Sequence, residues 1–311
     1  MTANTVDVVS ANEGLLKPGA GEGRRLRALL AGRVSWNLVG TVAYQGASAL
    51  IGLIVARILG RDEYGRFCFV QATALALVNF GTVGTGSLAT RTVAQMRLLD
   101  PACVGRTLGL ASIASIVLGV VLSVAAMVFA GQLAPHGDGT AAVPATAMLL
   151  RVGAVGALFL TMNAYQVGGL VGLGAFRTIA VLNLLYLAVG SALSAWSTRV
   201  FGIRGAVASL ALNFGGLWWT HHVALARELR AVRLQVRYAG CHRELREMVG
   251  FCLPATISSL IGNAAIWAQI TVLARLPSGY SEVALLGVCM QLRAVVLFLP
   301  SLCCCNQKMS P

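Results

Sequence analysis

The chain of 311 residues has the composition of a membrane protein rather than that of a soluble domain. Hydrophobic residues make up 57% and charged residues 11%, with a mean hydropathy of +0.76, whereas soluble domains are about 25% charged. The formal net charge of +13 comes without the basic stripe, interleaved with aromatic residues, that nucleic-acid binding needs. We therefore exclude nucleic acid as a partner and predict an all-α, polytopic transmembrane helical bundle.

Apolar runs long enough to cross a hydrocarbon core of ~30 Å follow one another along the chain. They predict about eight helices, at residues 34–56, 67–90, 107–131, 143–172, 178–198, 203–225, 249–273 and 283–302. The first six would form one lobe, residues 34–226, and the last two the start of a second lobe, residues 249–302. Residues 1–33 are predicted to be a cytoplasmic tail, and residues 303–311 an atypical C-terminal tail.

A charged segment, residues 227–248, separates the sixth predicted helix from the seventh. Its bases and acids mix at helical spacing, which suits an amphipathic helix on the cytoplasmic leaflet. A solvated connector explains the same composition equally well. On either interpretation the segment is a basic cytoplasmic connector between the two lobes.

Two glycine-rich stretches, FGTVGTG at 80–86 and GGLVGLG at 168–174, look like phosphate-binding loops. Neither follows a strand, and neither carries the Lys-Ser/Thr of a P-loop. Small residues at i and i+4, such as Gly168 and Gly172, predict close helix packing instead. No Ser/His/Asp set, paired carboxylates or zinc-binding cysteine pattern falls in the predicted helices, so we predict no enzyme, no metal and no cofactor.

Polar side chains inside the predicted helices are the first candidates for substrate binding. Together they suit a hydrated cavity for a hydroxyl-rich sugar, although each also suits a hydrogen bond between two helices. The amide and hydroxyl candidates are Asn37, Tyr44, Gln45, Asn79, Asn263 and Gln291.

Two arginines, Arg151 and Arg293, complete the candidate set. A guanidinium at bilayer depth is costly and usually faces a cavity or a partner. Arg151 is close enough to a helix end for its side chain to reach the interface. Counted from Glu282, Arg293 lies about 16 Å deep, near the midplane of a ~30 Å core.

The segment ARILGRDEYGRF, residues 56–67, is followed by NFGTVGTGSLATRTVA at 79–94. Both resemble the start of bacterial polysaccharide flippases, the O-antigen and exopolysaccharide (Wzx-type) members of the multidrug/oligosaccharidyl-lipid/polysaccharide exporter superfamily. The matching positions are Glu63-Tyr64-Gly65 and then Phe80, Gly81, Gly84 and Arg91. The segment QLRAVVLFLPSL at 291–302 is also similar to the family.

The resemblance implies two lobes forming a V, with an undecaprenyl-diphosphate-linked oligosaccharide passing between them by alternating access. It implies a bacterial cytoplasmic membrane and contact with membrane lipids and with polysaccharide assembly proteins. Because a guanidinium fork suits phosphate oxygens, we expect Arg293 to bind the diphosphate of such a carrier. A structural arginine that caps a broken helix is the alternative. Two alternatives stay open. A multidrug-type exporter of the same superfamily would need deep acids for cationic drugs. Because family members have more helices than eight, an inactive truncated membrane protein is the other expectation.

The distribution of basic residues predicts that the N-terminus and the 227–248 segment are cytoplasmic. With that orientation, fifteen lysines and arginines lie on inner segments against six on outer ones. We expect a cysteine at position 235 (Gln235→Cys), in an otherwise cysteine-free chain, to resist an impermeant thiol reagent added to intact cells. It should react once the cells are opened. Efficient labelling of intact cells would reverse the orientation.

Overall fold

The computed structural model describes residues 20–82, 84–97, 99–134, 142–240, 245–276 and 279–307. Within these ranges it describes most of the side chains that lie between residues 36 and 293. Its helices are α1 (Ala20–Leu59), α2 (Arg61–Thr82), α3 (Thr85–Met96), α4 (Pro101–Val128), the one-turn α5 (Ala130–Leu133), α6 (Ala142–Leu173), α7 (Phe176–Leu185), α8 (Ser191–Ala231), α9 (Leu245–Ala274) and α10 (Gly279–Gln307). A π-helical turn, Tyr186–Gly190, joins α7 to α8. The prediction of an all-α bundle is confirmed for the described residues.

Four helical runs are long and apolar enough to cross a membrane: Leu38–Leu59, Pro101–Val128, Pro144–Leu173 and Phe176–Ala231. A fifth qualifies if α2 and α3, which meet at 46°, form one bent span. Within α9, only the shorter stretch Leu260–Ala274 is apolar to this degree among the described residues. The chain is therefore a multi-pass membrane protein.

The run from Phe176 to Ala231 is two antiparallel helices rather than one. Gly202 has φ +59° and ψ −140°, which breaks the helix. Beyond it the chain turns back, because Asn213 Nδ2 donates to the Ser194 hydroxyl at 3.0 Å and to the Gly190 carbonyl at 3.4 Å. Divided there, with α2 and α3 taken together, the described chain has eight long helical segments, as predicted.

Several predicted boundaries were wrong. Residues 20–33, predicted as tail, belong to α1, and the predicted outer loop at 57–66 is helical apart from Gly60. Gly60 alone makes the turn there, with φ +77°, in the left-handed region that glycine adopts without strain. At the other end of the chain, residues 303–307 continue α10. Residues 1–19 and 308–311 of the predicted tails lie outside the described residues.

The helix α6 lies at the centre of the bundle and packs against α2, α3, α4 and α8. Its glycines allow the closest approach: a Cβ on Gly168 would meet the Gly86 carbonyl oxygen at 2.2 Å, and one on Gly172 would meet Val93 at 2.7 Å. The Thr90 hydroxyl lies 3.0 Å from both the Gly86 and the Gly168 carbonyls. The GGLVGLG stretch is a packing surface, which confirms that prediction.

Over its described residues the predicted connector is not a single amphipathic helix, and most of residues 231–240 are exposed, as the solvated alternative expects. Residues up to Ala231 continue α8, and residues 234–238 are extended. This extended strip docks on α4: Leu234 is buried, and the Arg237 backbone N–H donates to the Gly105 carbonyl at 2.9 Å. Carbonyls of Gln235 and Arg237 occupy the space beside Gly105 and Gly109 that side chains would fill. Residues 241–244 lie outside the described residues.

The close contact of Gly168 with the α3 backbone predicts a large effect of a single methyl group. Gly168→Ala should lower stability by about 1–3 kcal/mol, because the neighbouring atom is backbone and the helices must separate. Gly216→Ala is the matched control, since a Cβ there meets nothing within 4 Å. It should be neutral or stabilising by roughly 0.5–1 kcal/mol. Thermal unfolding of both variants in detergent measures the difference; equal unfolding temperatures would contradict the packing role of Gly168.

Candidate functional site

A cavity of about 370 Å³ lies between α1, α2, α9 and α10, at the small end of the range for ligand pockets. Its walls are mostly aliphatic. Its polar lining consists of a hydroxyl and four amides, from Ser48, Gln71, Asn79, Asn263 and Gln291. None of the described lining residues carries a charge. The cavity therefore suits a neutral ligand that has both apolar faces and hydrogen-bonding groups.

Two hydrogen bonds fix the polar residues of α9 against α2. The Asn79 Nδ2 donates to the Asn263 Oδ1 at 3.0 Å, although the two residues are 184 positions apart. One helical turn along α9, the Trp267 indole N–H donates to the Thr73 hydroxyl at 3.2 Å. That hydroxyl in turn donates to the Phe69 carbonyl at 2.9 Å. These contacts orient Asn263 and Trp267 at the cavity wall.

The wall formed by α10 carries Gln291. Its Nε2 donates to the Tyr64 hydroxyl at 3.2 Å, and its buried Oε1 has no hydrogen-bond partner among the described residues. Directly against this amide, α1 presents Gly52, whose missing side chain leaves room for it: a Cβ there would lie 1.8 Å from Nε2.

Next to Val283 at the cavity wall, the first turns of α2 and α10 are joined by several contacts. The Arg61 guanidinium forms a 3.2 Å ion pair with Glu282 and its Nε donates to the Ser281 carbonyl at 3.3 Å. The Arg66 guanidinium lies over the Tyr280 ring at 5.3 Å, and the Tyr280 carbonyl packs against Gly65. We call these contacts the α2–α10 clasp. Arg61 thus pairs with an acid 221 positions away along the chain.

Of the predicted site residues, the structure brings Asn79, Asn263 and Gln291 together at this cavity. Tyr44 and Gln45 do not line it. Tyr44 stacks on Tyr186 with ring centroids 5.9 Å apart, and Gln45 is exposed. The Asn37 side chain lies outside the described set, although its backbone is part of α1. Binding roles for these α1 residues stay predictions.

The two predicted arginines also lie outside the lining. Arg151 is exposed, and its Nε donates to the Met127 carbonyl at 3.4 Å. Arg293 is exposed as well, with Nη1 3.9 Å from the Met290 sulfur. Because Met290 lines the cavity, Arg293 stands about one helical turn beyond it. Sequence reasoning missed Trp267 and Thr73, although Trp267 follows Asn263 at the i+4 spacing that shares a helix face.

No group of three or more potential metal ligands occurs in the described part of the chain. The fold is similar to that of three solved membrane transporters. It matches a MOP superfamily transporter from Pyrococcus furiosus, whose reversed pocket polarity suggests a different function, with a TM-score of 0.58 and 18% identity over 85% of this chain and 69% of that one. The inward-facing conformation of a MATE family multidrug resistance transporter matches with TM-score 0.53, 20% identity, and 82% and 56% coverage. An outward-facing MATE structure matches with TM-score 0.56, 19% identity, and 85% and 69% coverage.

A family model for polysaccharide biosynthesis proteins matches residues 30–299. The chain therefore belongs to the polysaccharide biosynthesis protein family, and its fold is similar to that of MOP superfamily transporters. No curated protein matches the chain significantly. The chain spans 56% to 69% of the length of the three matched structures.

The Asn79–Asn263 hydrogen bond predicts a specific proximity between α2 and α9. In a cysteine-free chain, the pair Asn79→Cys and Asn263→Cys should be joined efficiently by a short bifunctional thiol reagent. The matched control pairs Asn79→Cys with Gln269→Cys, since Gln269 is exposed on α9 and does not line the cavity. Mobility on denaturing gels after protease cleavage between the helices measures the yield. Similar yields for both pairs would disprove the arrangement.

Proposed function

We propose that this protein moves an undecaprenyl-diphosphate-linked oligosaccharide across the bacterial cytoplasmic membrane by alternating access. The observation that carries the proposal is the uncharged, amide-lined cavity between the helices of the first predicted lobe and α9 and α10. Family membership supports it, because polysaccharide biosynthesis on a lipid carrier requires the saccharide to cross the membrane. The N-terminus is cytoplasmic in this proposal, and membrane lipids and polysaccharide assembly proteins are its partners.

The chemistry of the lining favours a sugar over a drug cation. Each amide offers donors and an acceptor, as sugar hydroxyls do, so Asn79, Asn263 and Gln71 can exchange hydrogen bonds with a saccharide in either direction. A hydrophobic cation in a cavity of low dielectric needs a counter-charge. No carboxylate lines the described cavity, which argues against the multidrug-type alternative.

Arg293 is the proposed ligand of the carrier's diphosphate. Its exposed guanidinium lies just beyond the cavity wall, so a sugar in the cavity and a phosphate on Arg293 are within reach of one molecule. The planar guanidinium binds two phosphate oxygens through parallel hydrogen bonds, which a lysine ammonium cannot reproduce.

Alternating access requires the two sides of the cavity to separate at either end in turn. The α2–α10 clasp joins residues 61–66 of the first predicted lobe to residues 280–282 of the second. Its ion pair is exposed on both sides, so it contributes only about 0–1 kcal/mol. Such a contact is suited to repeated breaking and remaking during transport.

The proposal is tested by ligand binding to the purified chain, which needs no transport cycle. Native mass spectrometry compares undecaprenyl diphosphate carrying a disaccharide with undecaprenyl diphosphate alone and with ethidium. We expect the disaccharide lipid to bind about tenfold more tightly than the bare lipid, a difference of about 1.4 kcal/mol. Ethidium should not compete.

Substitutions at Asn263 and Arg293 test which residue binds the sugar and which binds the diphosphate. Asn263→Leu should remove the preference for the disaccharide lipid, while Gln269→Leu, the exposed amide on the same helix, should keep it. Arg293→Ala should weaken both lipids about equally, with Arg293→Lys intermediate. Tight ethidium binding together with no preference for the disaccharide lipid would replace the proposal with the multidrug alternative.

A further inference from the structure

We infer that the cavity is a subsite for one sugar ring, in which the Gln291 Oε1 accepts a hydroxyl proton and the Trp267 indole supports the apolar face of the ring. In this arrangement Tyr64, Gly52 and Thr73 are positioning residues that hold the two contacting side chains. The inference rests on the proposed function, because it names the residues by which the same cavity would recognise saccharide.

The acceptor is identified by its unsatisfied oxygen. Gln291 Oε1 is buried and has no partner among the described residues, while its Nε2 is already bonded to Tyr64. A buried acceptor without a hydrogen bond is costly, and a ligand that donates one recovers that cost. Gln291 is among the residues that line the cavity, so a molecule held there is the source of the donor that we propose. A sugar hydroxyl supplies such a donor without a charge.

Two neighbours hold the Gln291 amide in place. The hydroxyl of Tyr64, which is 2% exposed, accepts from Nε2 and so sets the direction of Oε1. Gly52 on α1 provides the space, because any Cβ there would overlap the amide. Gly52 has no positive φ, so its lack of a side chain serves the contact with Gln291 rather than a backbone turn.

Trp267 is identified as the platform because its only polar group, the indole N–H, is already engaged in a hydrogen bond. The Trp267 indole N–H is bonded to Thr73, and Thr73 is 5% exposed. What Trp267 offers to the cavity is therefore apolar ring surface, held at a fixed angle by α2. Pyranose rings have an apolar face of C–H groups and a rim of hydroxyls. Aromatic ring surface beside amide acceptors matches that division, in the way that aromatic side chains combine apolar area with defined geometry.

The experiment moves the Gln291 side chain by a substitution at Gly52 and leaves the glutamine itself in place. Gly52→Ala forces the flexible amide away from its position, and Gly46→Ala is the matched control on the same helix, since a Cβ there meets nothing within 4 Å. With the same disaccharide-linked and bare undecaprenyl diphosphates, Gly52→Ala should reduce the preference for the sugar about tenfold, the value of roughly one hydrogen bond. Gly46→Ala should leave it within about twofold of the parent.

Three further variants separate the platform from the acceptor. Tyr64→Phe removes the partner of Nε2 and should give the same loss as Gly52→Ala. Trp267→Leu removes the ring, while Thr73→Val keeps the ring and removes its anchor. Trp267→Leu and Thr73→Val should each lower the preference for the disaccharide lipid about three- to tenfold, the range of an aromatic contact. Bare-lipid binding should stay unchanged in all of them, because none of these residues contacts the diphosphate in the proposal.

The outcomes distinguish the two proposals. A parent chain with no preference for the disaccharide lipid would end the proposed function and this inference together. A parent chain with the preference, and Gly52→Ala and Tyr64→Phe variants that retain it in full, would overturn the role of Gln291 while leaving the transporter function standing. Thermal unfolding confirms that each variant is folded. If Gly52→Ala unfolds, Gln291→Leu replaces it, with the same tenfold loss expected.

Discussion

A hydrocarbon core gives the backbone no hydrogen-bonding partner, and the architecture follows from that constraint. Every long element of the described chain is a helix, and its breaks fall at residues that tolerate them. Gly60 and Gly202 adopt positive φ where the chain must reverse. Asp100 accepts from the N–H groups of Ala102 and Cys103 at 3.0 Å each, so the start of α4 is capped.

Helices held in lipid gain little from hiding apolar side chains, so contact between them depends on close approach and on polar pairs. The glycines of α3 and α6 allow the close approach, since the Gly86 carbonyl fits against Gly168. Side-chain amides supply the polar pairs, and they do so in two different settings. Asn213 bonds within its own hairpin, whereas Asn79 and Asn263 meet at the wall of a cavity. The same residue type therefore serves packing in one place and a candidate ligand site in another.

The segment RDEYGRF, residues 61–67, takes part both in the α2–α10 clasp and in the contacts of the cavity wall. Arg61 and Gly65 meet α10 in the α2–α10 clasp, while the Tyr64 side chain reaches Gln291 at the cavity wall. The clasp and the bond that orients Gln291 therefore both join α2 to α10. The α2 residues that make these two sets of contacts lie within about one turn of helix.

The sequence by itself determined the class of fold and much of the family assignment, because hydrophobic run length and short motifs are local properties of the chain. It also selected Asn79, Asn263 and Gln291, since amides in apolar runs stand out. Only the tertiary structure decided which candidates share a cavity. Tyr44 carries a hydroxyl on an apolar helix as Ser48 does, but it stacks on Tyr186, whereas Ser48 lines the cavity. The contacts of Gly52, Tyr64 and Thr73 join residues about 190 to 240 positions apart, and no local pattern encodes such distances.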